Sequence, residues 1–397
     1  MQSIDTLLPL FNTAARRSAM ETLTGKEGPR RARLTGLAGS SAAMLLAAMK
    51  KGKHPVLVVA DDFDTAAYMY HDLSRLADNE EEVKIFPSGY RRHIKYGQVD
   101  APNQILRTDA LNSRDNGVTR WIVTCPEALA EKVPASGELK ANTLTLAKGD
   151  IIQMSEVTRR LGEMGFHRVD YVYEPGQFAM RGSILDVFSY SNELPYRIDF
   201  FDDEIDSIRN FDVETQLSSD KPEKVSIIPD IADSESGDST SLLNLLSPDT
   251  LVFCQSAENL TARVREIAKS TIAPEVEISG EGDKDAMKRV VDADDFERRL
   301  QGFRIMEYSA GKASPQTDIA GLPVEASLDF NTEPQALYHK NFDLISQSFE
   351  KFLSEGYRIF ILSDNPKQIE RLRAIFDDRG DRFDFSSVDI RLLITRA

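Results

Sequence analysis

The sequence predicts an α/β protein made of a parallel α/β domain, an inserted antiparallel β-rich (α+β) domain and a small, partial C-terminal α/β domain. Strand-like apolar runs alternate with helix-like periodic segments in residues 31–124, which is typical of βαβ units and a parallel sheet. In residues 166–211, short strand-like runs are separated by turn dipeptides, which is typical of an antiparallel sheet. After residue 340, one more strand lies between two helical patterns.

The composition excludes several classes of protein. The chain has 397 residues and a net charge of −16, so a DNA-binding surface that dominates the chain is not expected. No apolar run is long enough for a membrane span, and no basic segment precedes the apolar N-terminus, so neither a membrane contact nor a signal peptide is expected. Two isolated cysteines, Cys125 and Cys254, and five histidines without ligand spacing predict a cytoplasmic protein without a disulfide or a metal site.

The first domain is predicted to take up residues 1–125 and 212–325. Asp64 is expected to cap one of its helices, and Thr124–Glu127 resembles a capping box for a helix that reaches Lys132. Residues 230–240 are expected to be a disordered loop, and residues 323–334 a linker. The predicted strands are Arg31–Leu34, Pro55–Ala60, Val83–Phe86, Trp121–Thr124, Val225–Ile228 and Thr250–Cys254, and the predicted helices include Ile4–Met20, an alanine-rich helix that ends near Lys50, Ala257–Ala268 and Asp294–Gln301.

A degenerate phosphate-binding loop follows the first predicted strand. A functional loop has the pattern GxxxxGK[ST], in which the lysine neutralises phosphate and the hydroxyl ligates Mg²⁺. Here the pattern starts at Gly36 and includes Gly39, but Ser41, Ala42 and Ala43 replace the second glycine, the lysine and the hydroxyl residue. We therefore expect no nucleotide hydrolysis and only weak attraction of an anion to the helix N-terminus. An ordinary alanine-rich strand–turn–helix explains the loop equally well.

Two other segments carry charges that could serve chemistry. Asp202–Glu204 resembles a helicase acidic box, but it follows two phenylalanines and opens another strand, so a polar turn is expected. The segment 86–104 contains basic and aromatic residues, a combination that can bind nucleic acid. A solvated loop is favoured over a DNA contact, and the residues in question are Tyr90, Arg91, Arg92, His93, Lys95 and Tyr96.

The inserted domain is predicted to span residues 126–211, with a helix at Ser155–Met164. Side chains alternate along the predicted strand Tyr196–Phe201, so that Arg197, Asp199 and Phe201 share one face. Arginines and an exposed aromatic suit a protein-binding surface, although the pattern alone favours a solvated sheet face. The other predicted strands of this domain are Val169–Tyr173, Ser183–Phe188 and Ile205–Phe211.

The third domain is predicted to span residues 335–397. It contains an amphipathic helix at Phe342–Leu353, a strand at Arg358–Leu362 and a helix at Pro366–Phe376, which Asp364 or Asn365 opens. Residues 390–397 match no pattern that we can assign, and we expect either a truncation point or a non-native remnant there.

A family resemblance lies in the inserted domain. The pattern RVDxVxEPGxFAxRGxILDxF, followed by PxRIxFFxDEIDSIRxFD, extends over residues 168–212. It resembles the N-terminal half of the bacterial transcription-repair coupling factor (Mfd) family and, more loosely, the UvrA-binding domain of the excision-repair protein UvrB. The resemblance covers about residues 1–385 and implies a UvrB-like, helicase-type first domain whose phosphate loop has decayed.

The resemblance also implies a function. The inserted domain would bind UvrA and bring nucleotide excision repair to stalled RNA polymerase. No enzymatic activity and no cofactor are expected for this chain, because the family's ATP-dependent DNA translocase, with its ATP and Mg²⁺, would lie C-terminal to it, as would the regions that bind RNA polymerase and DNA. The implied UvrA-binding residues are Arg168, Phe178, Arg181, Arg197 and Asp199.

The same reasoning makes a mutational expectation and leaves an alternative open. Reversing the charge of Arg181 and Arg197 is expected to abolish UvrA binding without unfolding the domain. The alternative function is a DNA-binding module or an Mg²⁺-dependent ATPase or nuclease module of a repair helicase.

Overall fold

The structure of the chain is a computed structural model. It describes residues 2–3, 7, 9 and 13–389, except 26, 50–53, 90–100, 115–116, 136–142, 191, 193, 220, 230–238, 280–289, 312–321, 335 and 364. The basic and aromatic loop residues 90–96, most of the predicted disordered loop and residues 390–397 therefore lie outside the described residues.

The strands and helices are numbered in chain order. The strands are β1 (Gln2–Ser3), β2 (Arg31–Thr35), β3 (Val56–Val59), β4 (Val83–Phe86), β5 (Trp121–Thr124), β6 (Lys132–Pro134), β7 (Leu144–Ala147), β8 (His167–Arg168), β9 (Gln177–Arg181), β10 (Ile184–Val187), β11 (Tyr196–Phe201), β12 (Glu204–Asn210), β13 (Lys224–Ile227), β14 (Ser239–Ser241), β15 (Leu251–Cys254), β16 (Arg304–Tyr308), β17 (Ala326–Asp329), β18 (Ile359–Ser363) and β19 (Phe385–Asp389). The helices are α1 (Ala14–Thr24), α2 (Ser41–Ala48), α3 (Phe63–Leu76), α4 (Ala101–Ser113), α5 (Pro126–Leu129), α6 (Met154–Glu163), α7 (Leu242–Leu245), α8 (Ala257–Ser279), α9 (Ala293–Leu300), α10 (Phe342–Ser354) and α11 (Pro366–Asp378), with a 3₁₀ turn at Glu80–Glu82.

The largest sheet has seven strands in the order β17-β2-β16-β15-β3-β5-β4, and every neighbouring pair is parallel. Strands β3, β5 and β15 are buried at every position, because helices cover both faces of such a sheet. The predicted parallel α/β architecture is therefore confirmed. The predicted linker 323–334 is wrong, since β17 lies within it and pairs with β2.

Two helix predictions in this part of the chain are also wrong. The residue that caps α3 is Asp62 rather than Asp64, and it accepts a hydrogen bond from the Thr65 amide at 2.7 Å. The predicted capping box does not form, because Cys125 precedes α5 without a side-chain cap. Helix α5 is a single turn that ends at Leu129, and β6 begins at Lys132.

A buried ionic cluster joins the strands at one side of the large sheet. The Glu307 carboxylate of β16 forms ion pairs with two arginines of β2, with Arg31 Nη2 at 2.8 Å and with Arg33 Nη2 at 3.3 Å. It also accepts the backbone N–H of Ala257, at the start of α8, at 2.8 Å. Arg31 Nη1 donates to the Leu322 carbonyl at 3.0 Å, so the cluster also holds the segment that leads into β17.

The middle of the chain forms a five-stranded sheet in the order β12-β11-β10-β9-β8. Its pairs are antiparallel except β8 and β9, which run parallel. Helix α6 and the two-stranded antiparallel sheet of β7 and β13 pack on one face, where Val157, Leu161 and Val225 are buried with the strands' apolar side chains. The antiparallel β-rich unit is thus confirmed, and its core includes residues C-terminal to Phe211.

One predicted strand of this unit does not form. Residues 169–173 follow the short strand β8 without strand structure, and Val172 is buried against Ala179, Phe188 and Phe211 on the other face of the sheet. This segment crosses that face instead of extending the sheet. Strand β9, which the sequence did not predict, takes its place beside β10.

The last unit is a parallel sheet in the order β1-β19-β18, with α10 and α11 packed on it. The predicted strand and both predicted helices are confirmed, and Asn365 caps α11 by accepting the Lys367 amide at 3.0 Å. Asp364, the other predicted cap, lies outside the described residues. None of the helices in the described part of the chain is both long and apolar enough to cross a membrane.

We predict that Glu307→Ala destabilises the large sheet by about 3–5 kcal/mol, because it leaves the buried Arg31 guanidinium without its partner. Trp121 is the only tryptophan of the sequence and is buried in β5, so urea unfolding followed by its fluorescence reports this sheet. As a control, Asp295→Ala removes an exposed ion pair with Arg298 and should cost at most about 1 kcal/mol. Equal losses in the two variants would contradict the role of the cluster.

Candidate functional site

The strand register places two of the predicted arginines, Arg181 and Arg197, on one face of the five-stranded sheet. Directly opposite residues of neighbouring strands share a face, and Asp186 lies opposite Arg197, which in turn lies opposite Arg209. Two residues further along, Arg181 of β9 and Asp199 of β11 both lie opposite Ile184 of β10. We call the surface formed by Arg181, Asp186, Arg197, Asp199 and Arg209 the charged face.

Asp186 is the centre of the charged face. Its side chain is only 1% exposed, and its Oδ1 accepts Arg197 Nε at 2.8 Å while its Oδ2 accepts Arg197 Nη2 at 2.9 Å. Arg181 Nη2 donates to the same Oδ2. One buried carboxylate therefore fixes two guanidinium groups, in the bidentate geometry that suits arginine and carboxylate.

The Arg197 side chain contacts Asp186, Gln216 and Phe211. Its Nη2 also donates to Gln216 Oε1 at 2.9 Å, and its guanidinium lies 4.1 Å from the centre of the Phe211 ring. The hydrogen bonds to Asp186 raise the pKa of Arg197. Its side chain is 13% exposed, so this residue neutralises Asp186 within the sheet and offers little surface to a partner.

Arg181 is the accessible cation of the charged face. Its side chain is 36% exposed, and its guanidinium lies 5.0 Å from the centre of the Tyr171 ring, which is itself exposed. The contact with Asp186 anchors one nitrogen and leaves the rest of the fork at the surface. An arginine held in this way loses little side-chain entropy when it binds a planar anionic group.

Asp199 is paired within the face. It accepts Arg209 Nη2 at 2.5 Å, and both side chains are about three-quarters buried. The carboxylate that the family resemblance assigns to UvrA binding therefore reaches the surface as half of an ion pair.

Two of the predicted site residues do not belong to the charged face. Phe178 lies opposite Val187, is 5% exposed and packs in the core on the other side of the sheet, so it offers almost no surface to a partner. Arg168 is exposed on the edge strand β8, where it is paired with Phe178. The exposed aromatics on this side of the sheet are Phe201 and, beside Arg181, Tyr171.

Several residues of the charged face were missed in the sequence. They are Asp186, Arg209, Tyr171 and Gln216. Asp186 left a usable signal, because an aspartate inside the apolar run ILDVF, at residues 184–188, requires a buried cationic partner. Gln216 left none, since its role depends on the loop after β12.

The degenerate phosphate loop connects strand β2 of the large sheet to helix α2. Gly36 and Gly39 adopt positive φ angles of 70° and 57°, and α2 starts at Ser41, with Ala42 and Ala43 buried. The strand–loop–helix shape of a phosphate loop is therefore present without its lysine and its metal ligand.

Protein groups accept hydrogen bonds from the amides of the first three residues of this loop, Gly36 to Ala38. The Gly36 and Leu37 N–H groups donate to the carbonyls of Gly311 and Ser309 at 3.2 and 2.9 Å. The Ala38 N–H donates to Thr332 Oγ1 at 2.8 Å, and this hydroxyl donates to the Gly36 carbonyl at 2.6 Å. The segment after β17 thus lies over the loop, and a Cβ on Gly36 would meet the Asn331 nitrogen at 2.6 Å.

The acidic run Asp202–Glu204 forms the connection between β11 and β12, with Asp202 at φ 60°. The predicted polar turn is confirmed. A helicase acidic box would follow a buried strand of the parallel sheet, which this turn does not.

We predict that Arg197→Ala destabilises the five-stranded sheet by about 3–5 kcal/mol, because the buried Asp186 loses its bidentate partner. Peptide-level hydrogen exchange of β9 to β12 measures this loss. The control Arg209→Ala breaks a pair with Asp199 whose side chains are more exposed than Asp186, and it should cost less than Arg197→Ala does. In contrast to the sequence-based expectation, we therefore expect that reversing the charge of Arg197 destabilises the sheet, and Arg181, which is more exposed, is the better test position.

We also predict that Ala42→Lys alone does not create a nucleotide site, because Thr332 accepts a hydrogen bond from the Ala38 amide and position 42 is only 1% exposed. Titration of wild type and variant with Mg²⁺–ATP should show no saturable heat. Saturable ATP binding by either chain would contradict the occupied loop.

Comparison with known proteins finds a family match over the five-stranded sheet. Residues 144–232, which contain β7 to β13, match the family model described as the UvrB interaction domain. The chain is also similar to proteins named transcription-repair-coupling factor. The protein of Escherichia coli (strain K12) is 31% identical over 212 residues, which is 52% of this chain and 18% of that protein.

Two further relatives of the same name extend the similarity. The Bacillus subtilis (strain 168) protein is 28% identical over 204 residues, or 51% of this chain and 17% of its own length. The Staphylococcus aureus (strain bovine RF122 / ET3-1) protein is 23% identical over 406 residues, or 87% of this chain and 34% of its own length. The chain therefore spans at most about a third of the length of these curated relatives. Its similarity to the N-terminal, UvrB-like part of transcription-repair-coupling factors is confirmed, and residues 144–232 match the UvrB interaction domain model.

Proposed function

We propose that this chain is a repair-recruitment module that binds UvrA through the charged face of its UvrB interaction domain. In this role it brings nucleotide excision repair to RNA polymerase that has stalled. The observation that carries the proposal is the accessible Arg181 guanidinium, held beside Tyr171 by the buried Asp186. It lies within residues 144–232, which match the UvrB interaction domain.

The energetics of the charged face suit a protein partner. Arginine and tyrosine are the residue types that most often dominate binding energy at protein interfaces, and Arg181 and Tyr171 occur here as a stacked pair. Because Asp186 positions the guanidinium before binding, less conformational entropy is lost in the complex. A carboxylate of UvrA that pairs with Arg181 would make a charge-assisted contact whose truncation costs about 2–5 kcal/mol.

We further propose that this chain does not hydrolyse nucleotide and needs no cofactor. The support is the loss of the lysine and metal ligand at Ala42 and Ala43, together with the occupied amides of Gly36, Leu37 and Ala38. ATP-dependent translocation on DNA, and the contacts with RNA polymerase and DNA, would then belong to other parts of a longer coupling factor.

The alternative function, a DNA-binding or Mg²⁺-dependent ATPase or nuclease module, has less support. The net charge of −16 opposes a dominant phosphate-binding surface. The acidic run Asp202–Glu204 lies in a hairpin turn at the surface, without the buried strand end that a helicase acidic box requires.

We predict that the chain binds purified UvrA and that Arg181→Glu weakens this binding at least about 30-fold, which corresponds to about 2 kcal/mol. Titration calorimetry measures the dissociation constants. As a control, Arg298→Glu reverses an exposed arginine on α9 that is also paired with an aspartate, and it should bind as wild type does. A wild-type chain that does not bind UvrA, or an Arg181→Glu variant with unchanged affinity, would overturn the proposal.

A further inference from the structure

Two large apolar side chains stand exposed at one end of the five-stranded sheet. Phe201, the last residue of β11, is 78% exposed, and Ile151, in the segment between β7 and α6, is 84% exposed. Glu204 lies opposite Phe201 in the ladder and is also bridged to Ile151. The three residues therefore form one row, Ile151–Glu204–Phe201, which we call the tip row.

The backbone around the tip row is fixed. The Ile205 N–H donates to the Asp150 carbonyl at 2.9 Å, and the Ile152 N–H donates to the Asp203 carbonyl at 2.8 Å. The neighbouring side chains of Phe200 and Ile205 point into the core and are buried. The alternation that buries these residues is the same one that holds Phe201 and Ile151 outward, so their exposure follows from the register and cannot be relieved by a small rotation.

The tip row is continuous with the charged face. Phe201 follows Asp199 by two residues on the same side of β11, and Asp199 and Arg181 are separated by one strand. With the usual spacings along and between strands, Phe201 lies roughly 12 Å from Arg181. A standard protein interface buries about 800 Å² on each partner, so a partner that covers Arg181 also covers the tip row.

The charge around the tip row is opposite to that of the arginines. The segments 147–152 and 200–206 contain five acidic residues and one basic residue, Lys148. Asp202, Asp203 and Glu204 are exposed. The surface thus presents two apolar side chains surrounded by carboxylates, beside an accessible arginine.

From this geometry we infer that the tip row is the apolar anchor of the UvrA interface, with Phe201 and Ile151 entering an apolar depression on UvrA that has a basic rim. The inference rests on the proposed function and names a second, independent part of the same surface. Buried aromatic anchors next to a polar rim carry much of the binding energy at such interfaces, and the exposed Phe201 is the large aromatic side chain that this end of the sheet offers.

The test compares Phe201→Ala, Ile151→Ala and the double variant in titrations with purified UvrA. Tyr68 on α3 is 76% exposed, so Tyr68→Ala is a control matched in residue class and exposure on the large sheet. We expect Phe201→Ala to weaken binding at least about tenfold and the double variant to weaken it further, while Tyr68→Ala binds as wild type does. Circular dichroism should show all four variants folded, because the replaced side chains are at the surface.

A charge test addresses the basic rim. Asp203→Lys together with Glu204→Lys should weaken binding at low salt, and the loss should shrink as salt screens the contact. Unchanged or stronger binding would overturn the basic rim.

The outcomes separate the two proposals. If wild type binds UvrA and Arg181→Glu does not, while the tip variants bind as Tyr68→Ala does, the apolar anchor is wrong and the proposed function stands. If wild type does not bind UvrA, the proposed function fails and the anchor fails with it.

Discussion

The buried carboxylate of Asp186 is the group on which the proposed binding surface depends. It is 1% exposed and lies in the middle strand of the five-stranded sheet, where its two oxygens receive guanidinium groups from both neighbouring strands. An unpaired carboxylate at this position would destabilise the sheet, so the fold itself requires arginines at this row. Arg197 satisfies most of that requirement, which allows Arg181 to keep part of its fork at the surface. Stability and binding are thus divided between two residues that look equivalent in the sequence.

The large parallel sheet contains a loop with the shape of a phosphate loop but without its phosphate-binding residues. Its first strand and helix keep the glycine turn of a phosphate loop, yet the Thr332 hydroxyl bridges the Ala38 amide and the Gly36 carbonyl. A neutral protein group therefore satisfies backbone donors that would otherwise favour an anion. The strand that precedes Thr332 is held at the edge of the sheet by the buried Glu307 cluster and by pairing with β2.

The strands with continuous apolar sequences could be predicted, because VLVV, WIVT and LVFC need only burial on both faces. Strand β16, RIMEY, was not predicted, because its arginine and glutamate interrupt the apolar pattern of a buried strand. The residue that neutralises Glu307, Arg31, is 276 residues away in the sequence. The candidate site in residues 166–211 came from the family resemblance, because the pattern of arginines alone favours a solvated sheet face. The face on which each side chain lies could not be predicted. Whether Phe178 is buried and Phe201 is exposed depends on the register of their strands, which the turns before and after β10 set. The exposed aromatic found by alternation, Phe201, is the one that the structure supports.

The central claim is that one face of the UvrB interaction domain, from Arg181 to the turn after Phe201, meets UvrA. Hydrogen exchange of the chain with and without saturating UvrA tests it most directly, since protection reports where a partner lies without altering any residue. The account predicts slower exchange of amides in residues 181–184 and 199–206, and no change in residues 31–124. Protection confined to the large sheet, or none in residues 181–206, would contradict it.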